Sequence, residues 1–317
     1  MKKIVIALVI TIVFMTVLAS TALADNGPHG GYATITDACG GCHRAHTATA
    51  SKLLLDTGTY DLCVTCHGTT GSGADTNVLG GIYLQRDSDT EVPLEGVANR
   101  GLKSGGFTNT FMDTDLSGAA ASVAMTSSHT PNGTGTIWGD GALNSGTGTA
   151  AFALTCGNCH DPHGQANGGT ATYRILRPVP TGSLSAAVPV TDVADFTNTY
   201  TISSATGNYF GETYGATLDG QMSDWCATCH DRYLTGEDGG NTDSTDADFA
   251  FRHMSDGSTA GTPSATSSDN AVGCLDCHVA HGSGASMTNR SNLASLAGDS
   301  ALLRLDDRGI CQSCHNK

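Results

Sequence analysis

The chain has 317 residues, and 15 basic against 30 acidic side chains give it a net charge of −15, a balance that excludes nucleic acid and anionic membrane surfaces as partners. Leu, Ile, Val and Phe make up about 15% of the residues after position 24, below the ~20% under which a charged chain is expected to stay disordered. The polypeptide alone lacks a core, and 41 glycines point to a chain that wraps closely around something else.

The first 24 residues read as an export signal. Lys2 and Lys3 form a positive start, Ile4 to Val17 an apolar run, and Ala22-Leu23-Ala24 a small-residue cleavage site. The mature chain is then 25–317, a single domain, and loss of Lys2 and Lys3 takes its charge to −17. An uncleaved anchor is the alternative, but no later stretch approaches the ~18 apolar residues of a membrane span.

Six C-x-x-C-H motifs follow and use all twelve cysteines: Cys39/Cys42/His43, Cys63/Cys66/His67, Cys156/Cys159/His160, Cys226/Cys229/His230, Cys274/Cys277/His278 and Cys311/Cys314/His315. This is the attachment signature of c-type haem, in which two thioethers hold the macrocycle and the adjacent histidine lies under the iron. Zinc ribbons and redox dithiols also use C-x-x-C, but neither chemistry requires the histidine that follows in all six cases. Covalent haem attachment takes place outside the cytoplasm in prokaryotes, which agrees with the export signal.

Regular structure is expected to be sparse. Asp61 is placed to start a helical turn before Cys63, and Ser223 or Asp224 one before Cys226. Gly133 to Ala150 and Gly236 to Asp246 read as loop, Thr172–Leu176 and Thr199–Ile202 as short strands, and Asp299-Ser300 as the start of a longer helix towards the last motif. The second cysteines are spaced by 24, 93, 70, 48 and 37 residues, so there is no fixed period. The expected fold is mostly coil with short helices and few short strands, a multihaem c-type cytochrome wrapped around a continuous haem chain whose macrocycles supply the core.

Beyond the six proximal histidines, six remain: His29, His46, His129, His163, His253 and His281. That number matches six open axial positions and suggests bis-histidine, low-spin iron throughout, with a solvated surface histidine as the alternative for any one of them. Met254 competes with His253; a methionine ligand would raise that site's potential. His46, His163 and His281 close C-x-x-C-H-x-x-H sequences. Trans ligands face each other across the iron, whereas two histidines on one short turn share a face, so each second histidine is expected to serve another iron and tie two haems together.

The six motifs, with Pro28-His29-Gly30-Gly31, Cys159-His160-Asp161-Pro162-His163-Gly164, Tyr173-Arg174-Ile175-Leu176, Met222-Ser223-Asp224-Trp225-Cys226, Arg252-His253 and Cys277-His278-Val279-Ala280-His281-Gly282-Ser283-Gly284, resemble those of the extracellular hexahaem cytochromes of the OmcS kind. The likeness spans the mature chain in order and is concentrated at the motifs; the connections around the last three are shorter here. The resemblance implies alternating parallel and T-shaped haem neighbours and a helical homopolymer that conducts electrons. It also implies that His46 ligates the haem of Cys274/Cys277/His278 in the neighbouring subunit.

The functional expectation is an exported, non-enzymatic electron carrier with six covalent haem c groups, extracellular or at the cell surface, that polymerises head to tail. Its partners would be copies of itself and redox proteins of the outer membrane or extracellular acceptors. One alternative is a discrete periplasmic or outer-membrane-associated carrier. The other is a multihaem nitrite or hydroxylamine reductase, which needs an open iron position that the supply of histidines argues against. Asp113/Asp115 and Asp243/Asp246/Asp248 are either a solvated surface or sites for a hard cation.

Overall fold

A C-x-x-C spacing puts both thiols on one face of a helical turn, and the motifs accordingly sit on short helices. A computed structural model describes residue 29 and residues 36–68, 74, 76–83, 100–102, 104–112, 114–115, 121–137, 150–163, 166–167, 170–171, 175–178, 180, 216–230, 233, 273–288 and 300–312. Residues 1–24, 199–202 and 236–246, together with His253, Cys314 and His315, lie outside the described residues.

The first motif lies at the end of a 3-10 helix, Thr36–Gly41. Helix α1, Thr59–His67, carries the second. It starts two residues before Asp61, which instead sits in the first turn, where a carboxylate suits the helix dipole and accepts the Thr57 hydroxyl at 2.5 Å. Gly68 ends it, because a Cβ there would collide with the Val64 carbonyl. Helix α2, Cys156–Cys159, is the third motif itself, and Asn158 Oδ1 accepts the Thr155 amide at 2.7 Å. Helix α3, Ala216–Ala227, begins well before the expected start at Ser223 or Asp224. Ser223 is therefore mid-helix and fully buried, and its Oγ accepts the Cys274 amide at 3.0 Å. Cys274 opens α4, Cys274–Cys277. Helix α1 packs on α2 and α3 on α4.

The strands are short: β1 (Thr76–Asn77), β2 (Ile82–Tyr83) and β3 (Arg100–Gly101) form one antiparallel sheet, and β4 (Asn109–Met112) pairs with β5 (Ala121–Ala124). After β6 (Ser127–Ser128), β7 (Gly133–Ile137) pairs with β8 (Ala150–Leu154), Gly133 opposite Leu154. That pairing corrects the expectation of loop at Gly133–Ile137 and at Ala150; residues 138–149 lie outside the described residues. The glycines of β7 hide the alternation, but Thr134, Thr136 and Ile137 are strand formers. Strands β9 (Ala166–Asn167) and β10 (Thr170–Ala171) pair with each other, and β11 (Gly282–Ser283) pairs with β6.

The first, third and fifth motifs share one closing loop, which the irregular spacing conceals. His43 bridges Leu54, His160 bridges Leu176 and His278 bridges Leu303, each antiparallel. In each, the amide after the bridging leucine donates to the second cysteine's carbonyl: Leu55 to Cys42 at 3.1 Å, Arg177 to Cys159 at 2.8 Å and Arg304 to Cys277 at 3.0 Å. The amide after the histidine donates back across the bridge, Arg44 to Leu53, Asp161 to Ile175 and Val279 to Leu302, at 2.9, 2.8 and 2.9 Å. Of the strand expected over Thr172–Leu176, Leu176 is a single bridge, and Thr172, Tyr173 and Arg174 lie outside the described residues. The expected helix from Asp299 is likewise a turn over Ala301 and Leu302, both at positive φ. Backbone groups committed to the fifth motif are unavailable to a helix; among the described residues Asp306–Arg308 (3-10) and α5, Gly309–Gln312, follow.

Two small apolar clusters form among the described residues. Met112, Val279, Leu305 and Ile310 pack with Cys277 and Cys311 beside them, and Leu176, Met222 and Leu275 pack with Cys159 and Cys226 beside them. Cysteines border both, so the chain's own apolar packing is concentrated at the motifs.

Candidate functional site

In four motifs the histidine returns to its first cysteine. The amides of His43, His160, His230 and His278 donate to the carbonyls of Cys39, Cys156, Cys226 and Cys274 at 2.8, 2.9, 3.0 and 3.0 Å. Such a turn presents two thiols and one imidazole together.

Successive motifs lie beside each other in chain order. Cys42 is raised from the ordinary thiol range, first by burial and then by neighbouring Cys66. Cys63 and Cys156 share a thiol hydrogen bond, which pushes Cys63 up and Cys156 down. Burial, with Cys229 nearby, pushes Cys159 up to about 12. Cys226 and Cys274 form a second hydrogen-bonded pair, again raising the first and lowering the second. Cys277 is raised by burial first, with Asp276 and Cys311 close by. The motifs thus form a row from first to sixth.

Six of the candidate ligand imidazoles among the described residues are held by Nδ1, which leaves Nε2 for a metal. His29 Nδ1 meets the Pro162 carbonyl at 3.0 Å, His43 that of Lys52 at 2.8 Å, His129 that of Ala280 at 2.6 Å and His278 that of Ala301 at 2.8 Å. His67 Nδ1 meets Thr76 Oγ1 at 2.7 Å, and His163 Nδ1 meets Asp161 Oδ1 at 3.2 Å. His281 is placed differently. Its amide donates to the Ser104 carbonyl at 2.6 Å, its ring stacks on Phe107 at 4.6 Å, and its buried Nδ1 makes no hydrogen bond of normal geometry. Burial first, then His160 and His129, holds its pKa down to about 3. His67 is also lowered, by burial and then by His29. Both rings are kept neutral, the form that binds a metal.

The histidines meet in pairs that sequence reasoning did not assign. Ring centroids are 6.0 Å apart for His29 and His67, 6.1 Å for His43 and His163, 6.0 Å for His129 and His230, and 6.2 Å for His160 and His281. Two imidazoles bound trans to one metal at ~2 Å per bond, with each ring centre ~1 Å beyond its nitrogen, have centroids ~6 Å apart. The interplanar angles run over 71°, 11°, 43° and 74°. Constant separation at varying angle is what an intervening ion imposes, whereas direct ring contact ties separation to orientation. Each pair joins a motif histidine to one of the six remaining histidines, so these four pairs would suit haem iron held by two imidazoles. The four-ligand convergence of a zinc ribbon does not occur among the described residues.

His163 and His281 reach motifs other than their own, as the turn geometry requires. The motifs they link are two apart in the chain: the third reaches back to the first, and the fifth to the third. His46 is exposed and joins none of the pairs. His253 and His315 lie outside the described residues, as do Asp243, Asp246 and Asp248; Asp113 does too, and Asp115 is exposed.

No helix among the described residues is long and apolar enough to cross a membrane. Residues 32–72 match the family model described as the doubled CXXCH motif. No curated protein and no solved structure matches the chain. The match covers the first two motifs, and its chemistry is covalent attachment of haem c; the doubled motif, on a fold of coil with short helices and small strands, points to a multihaem c-type cytochrome that transfers electrons.

Proposed function

We propose that the chain is an exported hexahaem cytochrome that carries electrons along a row of bis-histidine sites and polymerises end to end into an extracellular conducting filament. The observation that carries the reading is the set of four imidazole pairs at 6.0–6.2 Å. Haem c, when bound, supplies a reversible one-electron ferric/ferrous couple. The chain's residues do the rest: twelve cysteines tether, six motif histidines bind from one side, and His29, His46, His129, His163, His253 and His281 close the other. Two strong ligands per iron leave no position for nitrite or hydroxylamine, which favours a carrier over a reductase.

The pairs follow one rule. His163 lies with the first motif and His281 with the third, so a second histidine of C-x-x-C-H-x-x-H serves the odd motif two places earlier. His29 and His129, which stand before the first and third motifs, lie with the second and fourth. By the same rule His253 serves the sixth motif through His315. His46 then has no earlier motif in its own chain. The series continues with the His278 haem of a neighbouring subunit, and a head-to-tail contact of that kind builds an open filament unless it closes into a ring. The exposure of His46 supports this end as a contact surface.

Mass spectrometry and electron paramagnetic resonance of the exported protein test the proposal together. The expected result is six covalent haems and low-spin ferric signals alone in the assembled form. Fewer than six haems, or a high-spin signal that responds to nitrite, would overturn it.

A further inference from the structure

Non-glycine residues rarely take positive φ, and those that do are mostly Asn or Asp. Six are found among the described residues, and five lie in the three closing loops: Lys52 (φ 61°) and Leu53 (59°), Ile175 (52°), and Ala301 (50°) and Leu302 (62°). None is a residue that favours this conformation, and Ile175 is β-branched. Strain that recurs at the same place in three loops of unrelated sequence marks a shared requirement.

The hydrogen bonds show what the turns deliver. At the first motif the turn brings the Lys52 carbonyl to 2.8 Å from His43 Nδ1, and at the fifth it brings the Ala301 carbonyl to 2.8 Å from His278 Nδ1. The flanking bridge hydrogen bonds pin each turn to its own motif. We infer that the left-handed turns of the first and fifth motifs are positioning devices: each aims a main-chain carbonyl at the Nδ1–H of its motif histidine, fixing the tautomer and ring plane and strengthening Nε2 as an iron ligand. A carbonyl accepting from Nδ1–H makes the imidazole a better donor, which favours ferric iron and lowers the reduction potential. The effect is larger at His278, where the bond is partly buried, than at His43, where the carbonyl belongs to exposed Lys52 and water can take its place. Lys52 and Ala301 act through their backbones, so their side-chain identities matter only through φ.

The inference rests on the haem reading of the motifs, and the experiment separates the two. The full-length holoprotein is compared with Leu53→Pro and Ala301→Pro, whose rings fix φ near −65° and swing the peptide away from the histidine. Leu53→Gly and Ala301→Gly accept positive φ and serve as controls. Potentials are read by spectroelectrochemical titration, ring orientation by low-spin g-values, and haem load by mass. The expected result is an unchanged haem load, one redox wave moved upward in each proline variant and further for Ala301→Pro, altered g-values, and glycine variants that superimpose on the parent. Proline variants with the parent's potentials and g-values, or glycine variants that shift as far as proline ones, would overturn the inference. Should the proline variants fail to accumulate, Leu53→Val and Ala301→Val strain the same turns and are read in the same way. A parent protein without covalent haem would sink the haem reading instead.

Discussion

His163 shows how one side chain gains a role from its surroundings. Asp161 accepts its amide at 3.1 Å and its Nδ1 at 3.2 Å, and Asp161 is itself held by Arg177 at 3.5 Å. The ring therefore points away from its own motif, towards His43. Replacing His163 with Ala should convert one iron to high spin while leaving all six thioether pairs intact. Resonance Raman spin-state bands check this, and the affected site should be the one attached at Cys39 and Cys42; loss of low-spin character at the Cys156/Cys159 site instead would contradict the pairing. His281 predicts a pH response. Its folded pKa of about 3 lies below the ordinary 6.5, so below pH 6.5 the unfolded chain takes up a proton that the folded chain refuses. Its contribution to stability is complete above pH 6.5 and is lost progressively as pH falls towards 3. Urea midpoints measured across that window should fall with pH, and less so in His281→Met. The sequence made the ligand types legible, since C-x-x-C-H names its own chemistry and the histidine count matches it. The pairing was hidden because partners such as His160 and His281 are brought together only by tertiary contacts.

At the scale of elements, the junction of α3 with α4 depends on Ser223. Its buried Oγ accepts the Cys274 amide at 3.0 Å, and Ser223→Ala leaves that amide without its partner at a cost of about 1–3 kcal/mol. Chemical denaturation should show the loss, and Asp224→Ala, on a half-exposed position of the same helix, should lose less. Ser223 also illustrates what local reading missed. A serine shortly before an apolar residue resembles a helix cap, but α3 starts at Ala216 and the hydroxyl is used across the junction. The leucines after Asp299 misled for a related reason: their spacing suits a helix, while their backbone is held by the fifth motif. Short helices at the motifs were legible because C-x-x-C needs a turn; the closing loops were not, because hydrogen bonds between main-chain groups leave little trace in side-chain identity.

For the whole molecule, three units, each an odd motif with its closing loop and the even motif after it, follow one another with insertions of different length. Histidine pairs that join motifs two apart link the units, and under the proposed haem reading stability and order both depend on the sites those pairs form. The scarcity of Leu, Ile, Val and Phe made this legible at once: the apolar clusters stay small and sit at the cysteines. His46→Ala removes the ligand through which the series would leave the chain. Subunits of this variant should carry six haems yet remain monomeric by analytical ultracentrifugation, with one iron per chain changed in spin state. Filaments that assemble with every iron low-spin would show that the crossing ligand is another residue. The most direct measurement is a cryo-microscopy map of the native exported protein. The account predicts filaments in which His29, His163, His281 and His129 close the irons of His67, His43, His160 and His230, with His46 reaching the His278 iron of the next subunit. Monodisperse particles, or irons closed by other side chains, would contradict it.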